Sequence, residues 1–349
     1  MSLHRGTNIS HWLSQSEERG TARCAYFTRD DVRKIADWGF DHIRLPIDES
    51  QMWDKAGQPE NEAFDLLDAA LDWSEQAGLK VVVDLHILRN HFFNQNTEPK
   101  LFTDPAEAEK FANFWRQLSA RLHHRSNDLV AYELMNEPVA QNCQDWNRVA
   151  HQAFHAIRQF EPQRTIVLGS NRWCSVSTFD QLAVPEDQNL ILTFHFYHPM
   201  LITHHRAHWC PEGKMYAGPL QYPGQPIPPE CLANVVVPPG NRLVSLKMDE
   251  LNKPYNRDSM IADLAKPLAV ARRTGLPLYC GEFGVIDLTP TPVRLAWYRD
   301  LISVFEEYNI AFANWDYKEE FGILDPQGQS TGIAEILLSA NVNALVTHK

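Results

Sequence analysis

The sequence predicts a (β/α)8 barrel, and three observations carry the prediction. Short apolar runs alternate with amphipathic stretches along almost the whole chain, and eight such runs can be recognised. Each run is continuously rich in Val, Ile, Leu or Phe, which is how a strand buried on both faces of a parallel sheet reads. The length, 349 residues, accommodates the roughly 250 that such a barrel needs plus insertions.

Taken in order, the first strand is expected at residues 5–9. A helical pattern follows at 29–38, with Thr28 or Asp30 available to cap its start and Gly39 to stop it. The second strand, 42–47, leads to a helix at 61–76 that Gly78 should end. Strand 80–86 precedes a helix at 105–123, and strand 129–137 a helix at 146–160. Strands 165–170 and 189–197 come next, followed by a long insertion over 199–255. That segment is rich in Pro, Gly, His and aromatic residues and has little periodicity, the signature of a long functional loop. A helix at 259–274, strand 277–283, a helix at 291–308 and strand 310–316 complete the pattern. No solenoid-type repeat and no linker interrupts it, so residues 1–349 are expected to form one barrel domain carrying the 199–255 insertion.

The bulk numbers narrow the function classes. Apolar residues make up 44% and charged residues 22%, the composition of a globular protein. Lys plus Arg number 32 against 44 Asp plus Glu, a net charge of −12, so there is no basic footprint for nucleic acid phosphates. A neutral substrate suits this balance. No stretch approaches the roughly 18 apolar residues of a membrane helix, so no membrane partner is expected. Met1-Ser2-Leu3 runs at once into Arg5-Gly6-Thr7-Asn8 without an apolar leader region. The protein is therefore expected to be cytoplasmic if Met1 is the native start, and extracellular or periplasmic if a leader has been trimmed. A monomer is the expected state. The six cysteines, Cys24, Cys143, Cys174, Cys210, Cys231 and Cys280, show no CxxC spacing and no accompanying His ladder, which argues against a zinc site. Cys280 reads as a buried thiol in a strand. Cys210 and Cys231 flank the same irregular segment, which leaves a disulfide between them open.

In such barrels the functional groups gather at the C-terminal ends of the strands. The runs here end in Arg44, in Asp84 and His86, in Asn136 and Glu137, in His195 and Tyr197, in Glu282, and in Trp315. Six of eight strands thus aim a polar or aromatic group at one rim. Two strand-end glutamates that converge are what cleavage of a bond between sugars requires: one carboxylic acid protonates the leaving oxygen and a carboxylate attacks the anomeric carbon. Their surroundings must push their proton affinities apart. Glu137 is the candidate acid/base, because burial and a neighbouring negative charge would keep it protonated. Asn136 beside it can hydrogen-bond a substrate hydroxyl. Glu282 is the candidate nucleophile, held ionised by Arg44 if that side chain reaches across the barrel floor, with Tyr197 donating to the same carboxylate. His86 and His195 are placed to bind hydroxyls, and Trp315 to supply the floor on which a sugar ring stacks.

Each residue also has a structural reading. Glu137 before Pro138 could simply end a strand, and Gly281 and Gly284 around Glu282 could mark only a tight turn. Arg44 could pair locally with Asp48 or Glu49, and His86 could be structural. Trp12, Trp53 and Trp173 read as core before they read as binding platforms. The coincidence of Glu137 and Glu282 on the fourth and seventh runs is what favours chemistry.

The set Arg44, His86, Asn136-Glu137-Pro138, His195-Phe196-Tyr197, Glu282-Phe283-Gly284 and Trp315 resembles the signature of glycoside hydrolase family 5, a retaining (β/α)8 family of cellulases, mannanases and related β-glycanases. The resemblance runs from Gly6-Thr7-Asn8 to Trp315. It implies Glu137 as acid/base, Glu282 as nucleophile, and neither a cofactor nor an obligatory metal. The stretch from Thr203 to Trp209, Thr-His-His-Arg-Ala-His-Trp, is similar to a loop of some bacterial endoglucanase members. The expected substrate is a β-1,4-glucan, followed by β-1,3- or mixed-linkage glucans, exo-action on glucosides, and β-mannan. Trp209, Tyr216 and Tyr222 of the insertion could wall off one end of a cleft or extend it, and His91 with Phe92-Phe93 could shape the other side. An inert carbohydrate-binding barrel should lack one glutamate, and both are present. A phosphate-binding barrel would want a Gly-rich loop after strand seven, where Val285-Ile286-Asp287-Leu288 stands instead.

Overall fold

The computed structural model describes residues 1–94, 97–236 and 248–339. Eight parallel strands close into a barrel in chain order: β1 Arg5–Asn8, β2 His42–Ile47, β3 Lys80–Leu85, β4 Val130–Glu133, β5 Ile166–Gly169, β6 Leu190–Phe196, β7 Leu278–Phe283 and β8 Ala311–Asn314. The barrel closes where β1 pairs with β8, Arg5 opposite Phe312. All eight expected strands are present, several shorter at their ends than the apolar runs suggest.

Inward positions near the bottom are filled by Val82, Ala131, Val167, Ile191 and Tyr279. The larger core lies between the barrel wall and the surrounding helices, with Trp115, Trp146, Trp297 and Phe305 fully buried there. Trp12 and Trp53 belong to this core, each 1% exposed.

The helices begin and end where local chemistry dictates. Thr28, rather than Asp30, caps the helix Arg29–Trp38: its hydroxyl accepts from the Asp31 N–H while the Asp31 carboxylate accepts from the Thr28 N–H. Gly39 and Gly78 end their helices in the left-handed conformation, φ 99° and 74°. The helix expected at 146–160 starts earlier, at Cys143, because Asn142 caps it through the Asp145 N–H. The helix expected at 259–274 is two helices, Arg257–Asp263 and Ala265–Thr274, hinged at Leu264. Pro267 has no N–H to give the carbonyl of Asp263, so one continuous helix cannot be hydrogen-bonded through this point.

The long connection after β6 contains the short helix Met200–Thr203, a 3-10 turn Pro229–Asn234 and the short helix Met248–Leu251. Part of the expected 199–255 loop lies outside the described residues. Cys210 and Cys231 are both free thiols. Cys210 is buried, its sulfur accepting the Gly213 N–H at 3.2 Å, whereas Cys231 sits in the separate 3-10 turn. Among the described residues no helix is long and apolar enough to cross a membrane.

Candidate active site

Arg44 organises the C-terminal mouth of the barrel. It lies mid-strand on β2, is fully buried, and uses all five N–H donors. Nε and Nη2 clamp Glu133 at 2.7 and 3.0 Å, Nη1 reaches Glu282 at 2.7 Å and Asn8 at 2.9 Å, and Nη2 reaches Asn136 at 3.0 Å. Asp84 adds an ion pair at 3.0 Å. Neither Asp48 nor Glu49 takes part. Asp48 accepts from Ser14 and Gln15, and Glu49 pairs with Arg89 and Lys110, because both lie beyond the end of β2 and face the loops.

Glu282 is level with His195 because the β6–β7 register slips there: Phe194 faces Cys280, but His195 faces Glu282. Such a bulge re-aims a side chain at a barrel rim. It frees the Gly281 carbonyl, which accepts from Asn8 Nδ2 at 2.9 Å. One Glu282 oxygen then rests on Arg44 and the other accepts from the Tyr197 hydroxyl at 3.1 Å.

Glu137 arrives differently. Strand β4 ends at Glu133, four residues short of the apolar run, as its pairing with β3 and β5 ends there. Leu134 and Asn136 still donate to Val167 and Leu85, and then Glu137 turns the chain with φ 44°. A left-handed glutamate is uncommon, and such conformations concentrate at functional sites. Its carboxyl is 12% exposed and meets His195 Nδ1 at 3.0 Å. That same nitrogen lies 3.5 Å from Glu282. Facing oxygens of Glu137 and Glu282, with His195, fall within 4.8 Å of one another.

The electrostatics separate the two glutamates. Burial and then the negative charge of Glu282 push Glu137 well above the usual carboxyl range. Burial also raises Glu282, but Arg44 in direct contact pulls it back. Burial holds the imidazole of His195 well below its ordinary value and pushes that of His86 down to about 4, so both stand neutral. Two carboxylates and an imidazole are also a donor set that a cation could use. Arg44 already supplies the positive charge there.

The remaining expected residues fall as follows. His86 donates or accepts through Nδ1 with Asp84 at 2.7 Å and stacks on Trp315, ring centres 5.6 Å apart and 7° from parallel. Trp315 is 7% exposed and packs in a cluster with Ile286 and Phe321. Asn136 spends its carbonyl oxygen on Arg44, and its Nδ2 has no protein partner among the described residues, which leaves that amide for a ligand. Trp209, 37% exposed, stands further out and connects inward through Phe321 and His204 to Tyr197. Tyr216 and Tyr222 do not line a cleft. They are buried at the base of the insertion, their hydroxyls bound to Pro219 and Asp300. His91 is likewise fully buried, packed edge-on against Phe102, so only Phe92 and Phe93 reach the rim.

Three further residues of the candidate site escape a reading of strand ends. Glu133 and Asn8 hold Arg44 from inside the barrel, and the detectable signal was an ionisable residue at an inward position of β4. Trp173 is 46% exposed rather than core. Arg172, Trp173 and Cys174 all have positive φ, a left-handed turn that carries the indole out to the surface. The Trp173 backbone N–H donates to the Pro138 carbonyl at 3.2 Å, and the indole Nε1–H donates to the Phe93 carbonyl at 2.9 Å.

Residues 6–321 match the model of the cellulase family, glycosyl hydrolase family 5. Endoglucanase C of Acetivibrio thermocellus is 32% identical over 324 residues, covering 91% of this chain and 92% of the relative. Cellodextrinase A of Ruminococcus flavefaciens is 28% identical over 309 residues, covering 88% and 83%. The structure of Thermotoga maritima Cel5A in complex with cellobiose superposes with a TM-score of 0.76 at 23% identity, over 96% of this chain and 97% of that one, a likeness of fold.

Proposed function

The chain belongs to the cellulase family, glycosyl hydrolase family 5, and on that premise we propose that it hydrolyses β-1,4-linked glucan with retention, through Glu137 and Glu282. One observation carries the mechanism: carboxyl oxygens of the two glutamates lie within 4.8 Å of each other. Retaining enzymes hold their carboxyls at about 5–5.5 Å, whereas inverting ones leave about 6.5–9.5 Å for a water. Glu282, kept anionic by Arg44 and Tyr197, attacks the anomeric carbon as Glu137 gives its proton to the departing oxygen. The result is a glycosyl ester on Glu282. Glu137, now a carboxylate, then takes a proton from the water that hydrolyses the ester. Asn136 Nδ2 and the neutral imidazole of His86 are placed to hydrogen-bond hydroxyls of the reacting sugar, and Trp315 to carry its apolar face. Trp173 and Trp209 extend that aromatic surface outward.

The names of the relatives, an endoglucanase and a cellodextrinase, support a β-glucan as substrate. A polymeric glucan would place the activity outside the cytoplasm. The test is a leaving-group comparison. Glu282→Gln should abolish turnover of glucan and of an activated aryl β-cellobioside alike. Glu137→Gln should lose roughly 100- to 10,000-fold on glucan, the usual contribution of a general acid, and far less on the aryl glycoside's first step. Equal losses by both variants on the aryl substrate would overturn the role assignment. NMR detection of the α-anomer as first product would sink retention.

A further inference from the structure

Behind Tyr197, the loop that follows β6 presents a histidine whose tautomer the protein itself determines. Thr203 is fully buried, and its hydroxyl stands 2.6 Å from the Tyr197 carbonyl and 3.0 Å from His204 Nδ1. A carbonyl oxygen cannot donate, so the one hydroxyl proton of Thr203 belongs to the Tyr197 contact. His204 must then supply the proton of the second bond from Nδ1. Its Nε2 is left as a bare acceptor, and no protein group among the described residues bonds it. The ring is only partly buried. It is set edge-on against Tyr197, centres 5.1 Å apart, and against Phe321 at 5.4 Å, with Trp209 at 6.4 Å. Tyr197 is the side chain whose hydroxyl touches Glu282. His204 therefore sits one ring removed from the candidate nucleophile, among aromatic faces and with a lone pair open to ligand.

We propose that His204 is a specificity-determining residue: Nε2 accepts a hydrogen bond from a hydroxyl of the glycosyl unit beside the cleaved bond, while Trp209 packs on that unit's apolar face. Saccharide hydroxyls donate readily, and an acceptor held in one tautomer loses nothing to reorganisation when it binds one. Burial pushes the imidazole down to about 4, so the lone pair stays unprotonated at neutral pH. The buried Thr203 hydroxyl is a positioning group, acting only through the ring it orients. This inference rests on the glycosidase reading.

Three variants test it on soluble cello-oligosaccharides. His204→Phe keeps the ring packing and removes the acceptor. The expected result is a rise in KM of roughly 2- to 12-fold, the worth of one neutral hydrogen bond, with kcat changed less. His204→Gln, which restores an acceptor oxygen, should recover part of the loss, and Thr203→Val should fall between wild type and His204→Phe. Monodeoxy oligosaccharides supply the decisive readout. Wild type should discriminate against the analogue lacking the contacted hydroxyl, and His204→Phe should not. Unchanged KM in His204→Phe, equal loss in the Phe and Gln variants, or undiminished discrimination in His204→Phe would each overturn the proposal. Failure of the underlying glycosidase reading is distinct, because wild type would then cleave no oligosaccharide at all.

Discussion

Arg44→Lys isolates what the guanidinium fork contributes apart from its charge. Arg44 makes five hydrogen bonds, two to Glu133 and one each to Glu282, Asn8 and Asn136, besides its ion pair with Asp84. An ammonium has three donors on a compact head and cannot keep more than three of those five bonds. At least two acceptors are left facing a dry interior. Hydrogen bonds to a charged group contribute about 1.5–3 kcal/mol each, so the loss is about 3–6 kcal/mol. That is a large fraction of the 5–15 kcal/mol by which domains are typically stable. Urea unfolding is the assay: with a slope of about 3 kcal/mol per molar, the midpoint should fall by about 1–2 M. Arg44→Met removes the charge as well, leaving Glu282 without its cation, so its acid limb of activity should move to higher pH while that of Arg44→Lys moves less. A midpoint for Arg44→Lys indistinguishable from wild type, at unchanged slope, would refute the claim that the fork holds the site together.

The pH profile follows from the two carboxyls. In the proposed roles Glu137 works protonated and its affinity for the proton is raised, so activity should persist above the usual carboxyl range and be lost as pH climbs through that raised value. Glu282 works ionised, so activity is lost as pH falls through its own. On an activated aryl glycoside Glu137→Gln should lack the basic limb of the first step, and its survival would assign that limb elsewhere. Tyr197→Phe removes the 3.1 Å donor to Glu282. A roughly ten- to hundredfold drop in kcat/KM is expected from one hydrogen bond to a charged group, and an unchanged value would make that contact incidental. At the opposite end of the barrel, Gly6→Ala would place a methyl 2.3 Å from the buried His42 ring, which Asp41 and Tyr279 hold on both sides. Overpacking of this kind costs about 1–3 kcal/mol, and a melting temperature equal to wild type would show that the ring can yield.

The barrel was legible because parallel strands buried on both faces cannot disguise their apolar runs, and a closed barrel sends their ends to one rim. That is enough to place Arg44, His86, Glu137, His195, Tyr197, Glu282 and Trp315 near one another before any coordinate is known. What local sequence could not convey was depth and pairing. Glu133 lay hidden inside an apolar run, yet it takes two of the five bonds of Arg44. Asp48 and Glu49, four and five residues from Arg44, looked like its natural partners and serve the loops instead. Trp173 was misjudged because a left-handed run of Arg, Trp and Cys has no signature of the kind that Gly or Asn would provide. Tyr216, Tyr222 and His91 read as rim groups because loops tend to carry function, but the two tyrosines pack into the main core and His91 packs against Phe102.

The charge balance at the mouth explains why Glu137 is the residue that holds the proton. Asp84, Glu133, Glu137 and Glu282 converge on one guanidinium, and neither His86 nor His195 carries charge to offset them. Four carboxylates against one cation cannot all ionise in a space this dry. Three of them touch Arg44, and even so burial pushes Asp84 and Glu133 up to about 7. Among the described residues Glu137 has no cation in contact. Its one close partner is a neutral imidazole, and it faces the charge of Glu282. The proton therefore resides there before substrate arrives. In the proposed mechanism the same arithmetic reverses once Glu282 is esterified to a sugar: its negative charge is gone, the second-largest cause raising Glu137 disappears with it, and the acid of the first step becomes competent as the base of the second. One arginine and an excess of buried carboxyls thus serve both half-reactions of the proposed mechanism.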